Sequence, residues 1–288
     1  QVPDAIIHLL KHYLCDRTFK VRVNNTYSNN KTITAGVQQG SILGPTLFNI
    51  FVNDIPRTDL TSLALYADDT VIYSSAPHRN SVSSYIQYHL NALESWFINW
   101  KIKINTNKCK AIYFSRTYKL PPRLYLHDEA IDWCDSVKYL GVTLDRRLTW
   151  KFHIKNVRNA MEYKLRDLRS LMYGHHLSIK NKLLLYKAVI LPTVTYASPI
   201  WSFASQSQIG VLEGLHGKTL RRIAQAPRYL KNTIIRRDLC IDTLKNILVK
   251  LSSKFYNDIY SLPNPIIAEL PDYDHRKAKH RKRPRAAV

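Results

Sequence analysis

The chain has 288 residues, 45% of them hydrophobic, which is enough to bury a substantial core and excludes a wholly disordered or low-complexity protein. Forty-three Lys and Arg against 21 Asp and Glu leave a formal net charge of +22. That balance favours a polyanionic partner, because neutralised phosphates release condensed counterions.

The excess is uneven: residues 1–150 carry 17 basic and 12 acidic side chains, net +5, and residues 151–288 carry 26 and 9, net +17. Cys15, Cys109, Cys134 and Cys240 stand far apart with no CxxC pair, so a zinc cluster is not expected. They read as reduced, mostly buried thiols of an intracellular protein. No apolar run reaches membrane-spanning length and no signal pattern opens the chain, so no membrane partner is expected.

In chain order, Ile6, Ile7, Leu10 and Leu14 predict a helix that starts almost at Gln1, as if the chain were cut from something longer. "FKVRVNN" and "KTITAGV" alternate like paired strands around the turn-forming residues 24–30. From Ser41, the residues Leu43, Leu47, Ile50 and Phe51 recur at helical spacing, with Pro45 near the helix start. "SLALY" and "TVIYSS" then predict two strands around Ala67-Asp68-Asp69, with the aspartates at the tip of a hairpin.

Val82, Ile86, Leu90, Leu93, Phe97 and Trp100 mark the next helix, and "KIKIN", "AIYFS", "RLYLHDEAI" and "VKYLGVTL" each read as a strand. After Trp150 the period becomes helical. One stripe runs from Ile154 to Met172, a second helix spans Leu183 to Ile190 and breaks at Pro192, and a third carries Ile209 to Ile223. Residues 230–260 continue as one or two helices. Seven of the ten residues from Arg276 to Arg285 are basic, a run that resembles a nuclear-localisation or nucleic-acid-binding segment.

Asp68 and Asp69 are the chemically loaded feature. Successive strand residues face opposite sides, so neighbouring carboxylates converge only where the ladder turns. At about 4 Å they repel by roughly 4 kcal/mol at an effective dielectric of 20, a conflict that a hard divalent cation with oxygen ligands removes. Mg²⁺ suits such a place because it keeps several waters and shares its shell with phosphates. Upstream, "AGVQQGSILGP" is a glycine-containing loop that enters a helix and lets backbone approach another surface closely.

Gly36-Val37-Gln38-Gln39-Gly40-Ser41 with Leu43-Gly44-Pro45, followed by Tyr66-Ala67-Asp68-Asp69, resembles the motif pair of reverse transcriptases, particularly those of jockey-like non-LTR retrotransposons. "WKIKINTNKCKAIYFS" is similar to that family's next palm motif, and "VKYLGVTLDRRLTW" to its primer grip and thumb entry. "NKLLLYKAVILPTVTYASPIW" and "APRYLKNTIIRRDL" are similar to the helical segments that follow. The resemblance implies an α+β fold: a partial right-hand polymerase palm, an antiparallel sheet with packed helices, in 1–145, a mostly helical thumb and following segment in 146–271, and a basic tail in 272–288.

It further implies Asp68 and Asp69 as metal-holding catalytic carboxylates, with Mg²⁺ or Mn²⁺ as the cation, and Lys108 as a proton donor to leaving pyrophosphate. Gln39, Gly40, Ser41 and Tyr66 would lie against template and nucleotide, and Tyr139, Leu140 and Gly141 would form the primer grip. Lys108 fits a solvated turn lysine equally well, and the Tyr139 strand fits plain core. The implied partners are an RNA template, a DNA primer and deoxynucleoside triphosphates, handled by two-metal phosphoryl transfer.

Gln38 stands where the family usually has proline, and Cys109 where it has a small hydroxyl residue. The family's fingers and a further metal-binding aspartate on a palm strand are expected before Gln1, and Asp4, Asp16 and Asp54 do not match that aspartate's context. The piece alone is therefore expected to be inactive. The alternative is a nucleic-acid-binding remnant without catalysis. The polymerase reading also requires the hairpin tip to border a cleft shared with the Gln39–Gly40 loop.

Overall fold

The computed structural model describes residues 3–259, 261, 263 and 264. The basic run at 276–285, and with it the expected tail, lies outside the described residues. The chain divides into two compact units, Gln1–Cys109 with Pro121–Ile131, and Lys110–Leu120 with Asp132–Val288.

The first unit contains α1 (Asp4–Leu14), the short strands β1 (Arg17–Phe19), β2 (Arg22–Val23), β3 (Thr26–Tyr27) and β4 (Lys31–Ile33), and α2 (Gly44–Phe51). It continues through β5 (Ser62–Tyr66), β6 (Asp69–Tyr73), α3 (Arg79–Asn99), a 3₁₀ turn at Thr106–Lys108, β7 (Leu124–Leu126) and β8 (Glu129–Ile131). Helix α3 supplies the core: Leu93, Trp96 and Phe97 pack with Ile55, and Leu63, Ile72, Ile102 and Ile104 close over them. Asp54 fixes the register of that core, accepting the indole N–H of Trp96 at 3.2 Å and of Trp100 at 3.1 Å. Its carboxylate is thus committed to structure.

"KIKIN" shows how alternation misleads. Lys101, at φ +53°, ends α3 in a Schellman turn, with the N–H of Ile102 reaching the carbonyl of Phe97 at 2.8 Å. Ile102 and Ile104 then point inward, but no strand pairs with the segment, so it is extended chain and not a strand. "AIYFS" likewise keeps one bridge, Ala111 to Trp133.

The second unit holds β9 (Ser136–Tyr139) and β10 (Val142–Asp145), followed by helices. These are α4 (Lys151–Asp167), α5 (Arg169–Tyr173), α6 (Ile179–Leu185), α7 (Leu191–Thr195), α8 (Ser198–Trp201), α9 (Gln206–Ile223), α10 (Asn232–Asp238) and α11 (Leu244–Ile259). The stripes Ile154–Val157–Met161–Leu165 and Ile209–Leu212–Leu220–Ile223 meet in one core with Met172, Tyr186, Ile190 and Trp201. Pro192 does not break the helix. A π turn at Tyr186–Ile190, closed by the Leu191 N–H on the Tyr186 carbonyl, widens the helix where the proline ring would otherwise meet the preceding turn.

All strand pairs are antiparallel. They form five separate two-stranded ribbons among the described residues, where the resemblance implies one palm sheet. The α+β composition stands. "RLYLHDEAI" and "VKYLGVTL" prove to be hairpins, β7–β8 and β9–β10, because His127-Asp128 and Leu140-Gly141 adopt the positive φ of tight primed turns. The four thiols are free, and none is buried: Cys15 and Cys240 are exposed and Cys109 and Cys134 are half-buried. Among the described residues no helix is long and apolar enough to cross a membrane.

Two buried histidines make the second unit acid-sensitive. His153 lies between Trp150 and Trp201, its Nδ1 accepting the Thr143 N–H at 3.3 Å, and burial pulls its pKa down to about 4. His216 is also lowered, first by burial. Its Nδ1 meets the Tyr186 hydroxyl at 2.5 Å and its Nε2 meets the Asp242 carbonyl at 3.2 Å.

Both rings are neutral in the folded and unfolded chains above pH 6.5. Below that, the unfolded chain takes up protons that the folded one refuses, so stability falls as pH falls. His153 alone accounts for a loss of about 3 kcal/mol by pH 4. Urea unfolding at pH 6.5 and pH 5 should show the decline, and His153→Gln should flatten it.

Candidate catalytic hairpin and nucleotide loop

Strands β5 and β6 pair from Ser62–Tyr73 to Tyr66–Asp69, leaving a two-residue loop, Ala67-Asp68. A two-residue loop requires positive φ at its first residue, and Ala67 supplies it at +50° without being glycine. Leu63 and Ile72, cross-strand partners, pack on the α3 core. By the two-residue period, Tyr66 and Asp69 therefore share the opposite face, and Asp68 projects from the turn itself. Tyr66, Asp68 and Asp69 are all exposed.

The loop before α2 is built by Ser41. Its hydroxyl donates to the Gln38 carbonyl and accepts the Gly44 N–H, both at 2.9 Å. A side chain at Gly44 would meet both atoms at 2.9–3.0 Å, so glycine is required there by close approach. Gly40, at φ +80°, has open space around it, and Gln39 and Gly40 are exposed.

Among the described residues no hydrogen bond joins this loop to the hairpin. A cavity of about 370 Å³ at Phe97–Glu129 and another of about 510 Å³ at Thr233–Asn246 are lined by neither the hairpin tip nor the loop. The expected shared cleft is not one of these two cavities, and Tyr66, Asp68 and Asp69 at the hairpin tip are exposed.

Lys108 closes the 3₁₀ turn and is exposed, its N–H donating to the Asn105 carbonyl at 3.0 Å. The turn is tethered through Thr106, whose hydroxyl bonds the Glu129 carboxylate. Next to it, Cys109 is held above the ordinary thiol pKa by burial.

Tyr139, Leu140 and Gly141 lie in the second unit, at the end of β9 and on the β9–β10 turn. Leu140 (φ +43°) and Gly141 (φ +79°) both sit in the left-handed region. The Tyr196 hydroxyl donates to the Leu140 carbonyl at 3.0 Å, and its ring approaches so closely that a Gly141 side chain would meet it at 2.9 Å. Nothing in the sequence singled out Tyr196, 56 residues away from the carbonyl it holds. Gly141→Ala should cost about 1–2 kcal/mol in urea unfolding, and less in a Tyr196→Ala background, because the collision then disappears.

The donor chemistry at the hairpin suits a hard cation. Two adjacent carboxylates offer oxygen ligands only, as Mg²⁺ or Mn²⁺ prefers. The set is partial, because among the described residues no group of three or more His, Cys, Asp or Glu side chains is arranged to hold a metal ion.

Paired carboxylates on a primed hairpin turn, preceded by a serine-closed glycine loop in an α+β unit, are in keeping with the nucleic-acid polymerase class to which the sequence match assigns the chain. The chain belongs to the reverse transcriptase (RNA-dependent DNA polymerase) family, whose model matches residues 1–144.

It is 34% identical over 277 residues to the RNA-directed DNA polymerase from mobile element jockey of Drosophila melanogaster, a match covering 93% of this chain and 30% of the relative. It is 30% identical over 293 residues to the probable RNA-directed DNA polymerase from transposon X-element of the same organism, covering 100% and 32%. To the probable RNA-directed DNA polymerase from transposon BS, also of Drosophila melanogaster, identity is 31% over 292 residues, covering 97% and 32%. The chain thus spans about a third of the length of these curated relatives.

Proposed function

We propose that this chain is the palm-and-thumb part of a non-LTR retrotransposon polymerase that extends a DNA primer on an RNA template. The observation that carries this reading is the Tyr66-Ala67-Asp68-Asp69 turn, set by β5–β6 pairing within the residues that match the family. Asp68 and Asp69 would hold the divalent cation. When bound, the cation supplies charge neutralisation to the triphosphate and to the primer 3′-oxygen.

The chain's own residues position the reactants. The Gln39–Gly40–Ser41 loop, exposed at Gln39 and Gly40 and closed behind by the half-buried Ser41, would offer backbone and amide groups to template and nucleotide. Tyr66, on the face of Asp69, would lie against the primer end or the incoming base. The primer 3′-hydroxyl would lose its proton to water and bond to the α-phosphorus as the bond between the α-phosphorus and the bridging oxygen breaks, and pyrophosphate would leave with a proton for which Lys108 is the candidate donor. Tyr139–Leu140–Gly141, steadied by Tyr196, would grip the primer, and the basic helices from α4 onward would hold the duplex by its phosphates. The basic run at 276–285 is proposed as a nuclear-localisation signal.

The exposed tip and two-carboxylate donor set support inactivity of this stretch on its own. Primer extension on poly(rA)/oligo(dT) with Mg²⁺ or Mn²⁺ tests this: no synthesis is expected from the 288-residue chain, and robust synthesis lost in Asp68→Asn would show that no further carboxylate is needed. The same features favour a second reading, a nucleic-acid-binding remnant without catalysis. It predicts salt-sensitive binding of RNA or DNA that Asp68→Asn leaves unchanged, and no synthesis even when the upstream polymerase segments are restored.

A further inference from the structure

The connection between α9 and α10 is held more tightly than a surface loop requires. Helix α9 ends in a Schellman turn at Gln225 (φ +51°), with the Ala226 N–H on the Arg221 carbonyl at 3.0 Å. The Arg221 guanidinium then binds the loop from below, donating to the carbonyls of Pro227 and Leu230 at 2.6 Å each and to Asn232 Oδ1 at 2.7 Å. Asn232 in turn packs against Gly217, where any side chain would meet its amide nitrogen at 3.0 Å.

What this clamp presents outward is Arg228, Tyr229 and Lys231. All three are exposed, and their side chains form no hydrogen bond or ion pair with the described residues. Tyr229 is 87% exposed, more than any other exposed aromatic of the described chain. Lys218 and Arg222 add positive charge nearby, whereas Arg236 and Arg237 are ion-paired with Glu213 and Asp238 at 3.2 Å each. An ordinary exposed tyrosine sits on a mobile loop or lies down on its neighbours. Here a hydrogen-bonded backbone carries an uncovered ring with Arg228 and Lys231 close to it in sequence, which cuts the entropy lost when a flat ligand stacks on it.

We propose that the 226–231 loop is a stacking platform for single-stranded nucleic acid, with Tyr229 taking an unpaired base and Arg228 and Lys231 its flanking phosphates. The inference rests on the polymerase reading for its choice of a nucleic acid over an acidic peptide, and it deepens that reading by naming a single-strand contact away from the hairpin. Its chemistry is independent of sequence, since every base offers a π-face.

Fluorescence anisotropy of the full 288-residue chain with a twelve-nucleotide oligo(dA), and with an abasic strand of the same phosphate number, tests it without any synthesis. Tyr229→Ala should bind the oligo(dA) about tenfold more weakly, Tyr229→Phe about as well as the unaltered chain, and both should bind the abasic strand as the unaltered chain does. An unchanged melting temperature confirms that the variants are folded. If Tyr229→Ala binds oligo(dA) as tightly as the unaltered chain, or loses as much on the abasic strand, the platform does not exist. Failure of the polymerase reading shows separately, as absent synthesis after the upstream segments are restored, while the base-dependent effect of Tyr229 persists.

Discussion

Asp68→Asn, introduced into the chain joined to the upstream segments of its parent polymerase, is expected to lower the rate of nucleotide addition by about a thousandfold or more. The amide keeps the size and turn preference of aspartate, so the hairpin is retained, but it offers one neutral oxygen in place of an anionic pair. Asp68 is exposed on the Ala67-Asp68 loop and makes no hydrogen bond with the described residues, so folding should not suffer. Removing one of two neighbouring negative charges should leave the hairpin at least as stable. Rate lost with stability kept is the signature of a residue retained for chemistry at a structural cost. Single-nucleotide addition by quench flow, with urea unfolding alongside, separates the two; equal losses in both would mark Asp68 as merely structural.

The largest effect on stability is expected at Asp145. This carboxylate is 5% exposed and accepts four hydrogen bonds. Oδ1 takes the N–H groups of Arg147 and Thr149 at 3.1 and 3.0 Å, and Oδ2 takes the Thr149 hydroxyl at 3.2 Å and the Trp150 N–H at 2.9 Å. Those bonds hold a turn in which Leu148 (φ +50°) and Trp150 (φ +66°) are both left-handed, and they drive Trp150, 3% exposed, into the core at the start of α4.

Asp145→Ala orphans buried donors and leaves the left-handed Leu148 and Trp150 without the bonds that offset their strain, for a loss of about 3–4 kcal/mol. Asp145→Asn, with one acceptor oxygen left, should recover part of it. Urea unfolding followed by tryptophan fluorescence measures both, and a loss under about 1 kcal/mol in Asp145→Ala would mean the turn is held by other means.

The parts of the fold that were legible are those where side-chain period and turn chemistry agree. Leu63, Ile72 and the aspartates between them read as a hairpin because alternation stops at a turn-favouring pair, and α4 and α9 read as helices because their stripes recur every three or four residues. The hairpins at His127-Asp128 and Leu140-Gly141 did not, because the first residue of each turn, His127 or Leu140, carries positive φ without being glycine, asparagine or aspartate and gives no local signal. Pro192 was misleading because the π turn that accommodates it depends on Tyr186, Ile190 and the core around them.

At the candidate site, the identities of Asp68, Asp69 and the glycine loop could be read from the chain. The supports could not: Ser41 bridging Gln38 and Gly44, Tyr196 on Leu140, and Asp54 holding two indoles are pairings set by tertiary structure.

The claim on which the rest depends is that the Ala67–Asp69 turn binds a divalent cation, and Mn²⁺ titration followed by NMR line broadening addresses it without catalysis. The amide signals of Ala67 to Thr70 should broaden at the lowest Mn²⁺ concentrations, recover with EDTA, and stay sharp in Asp68→Asn/Asp69→Asn. Broadening that begins elsewhere, or that survives in the double variant, would contradict the assignment.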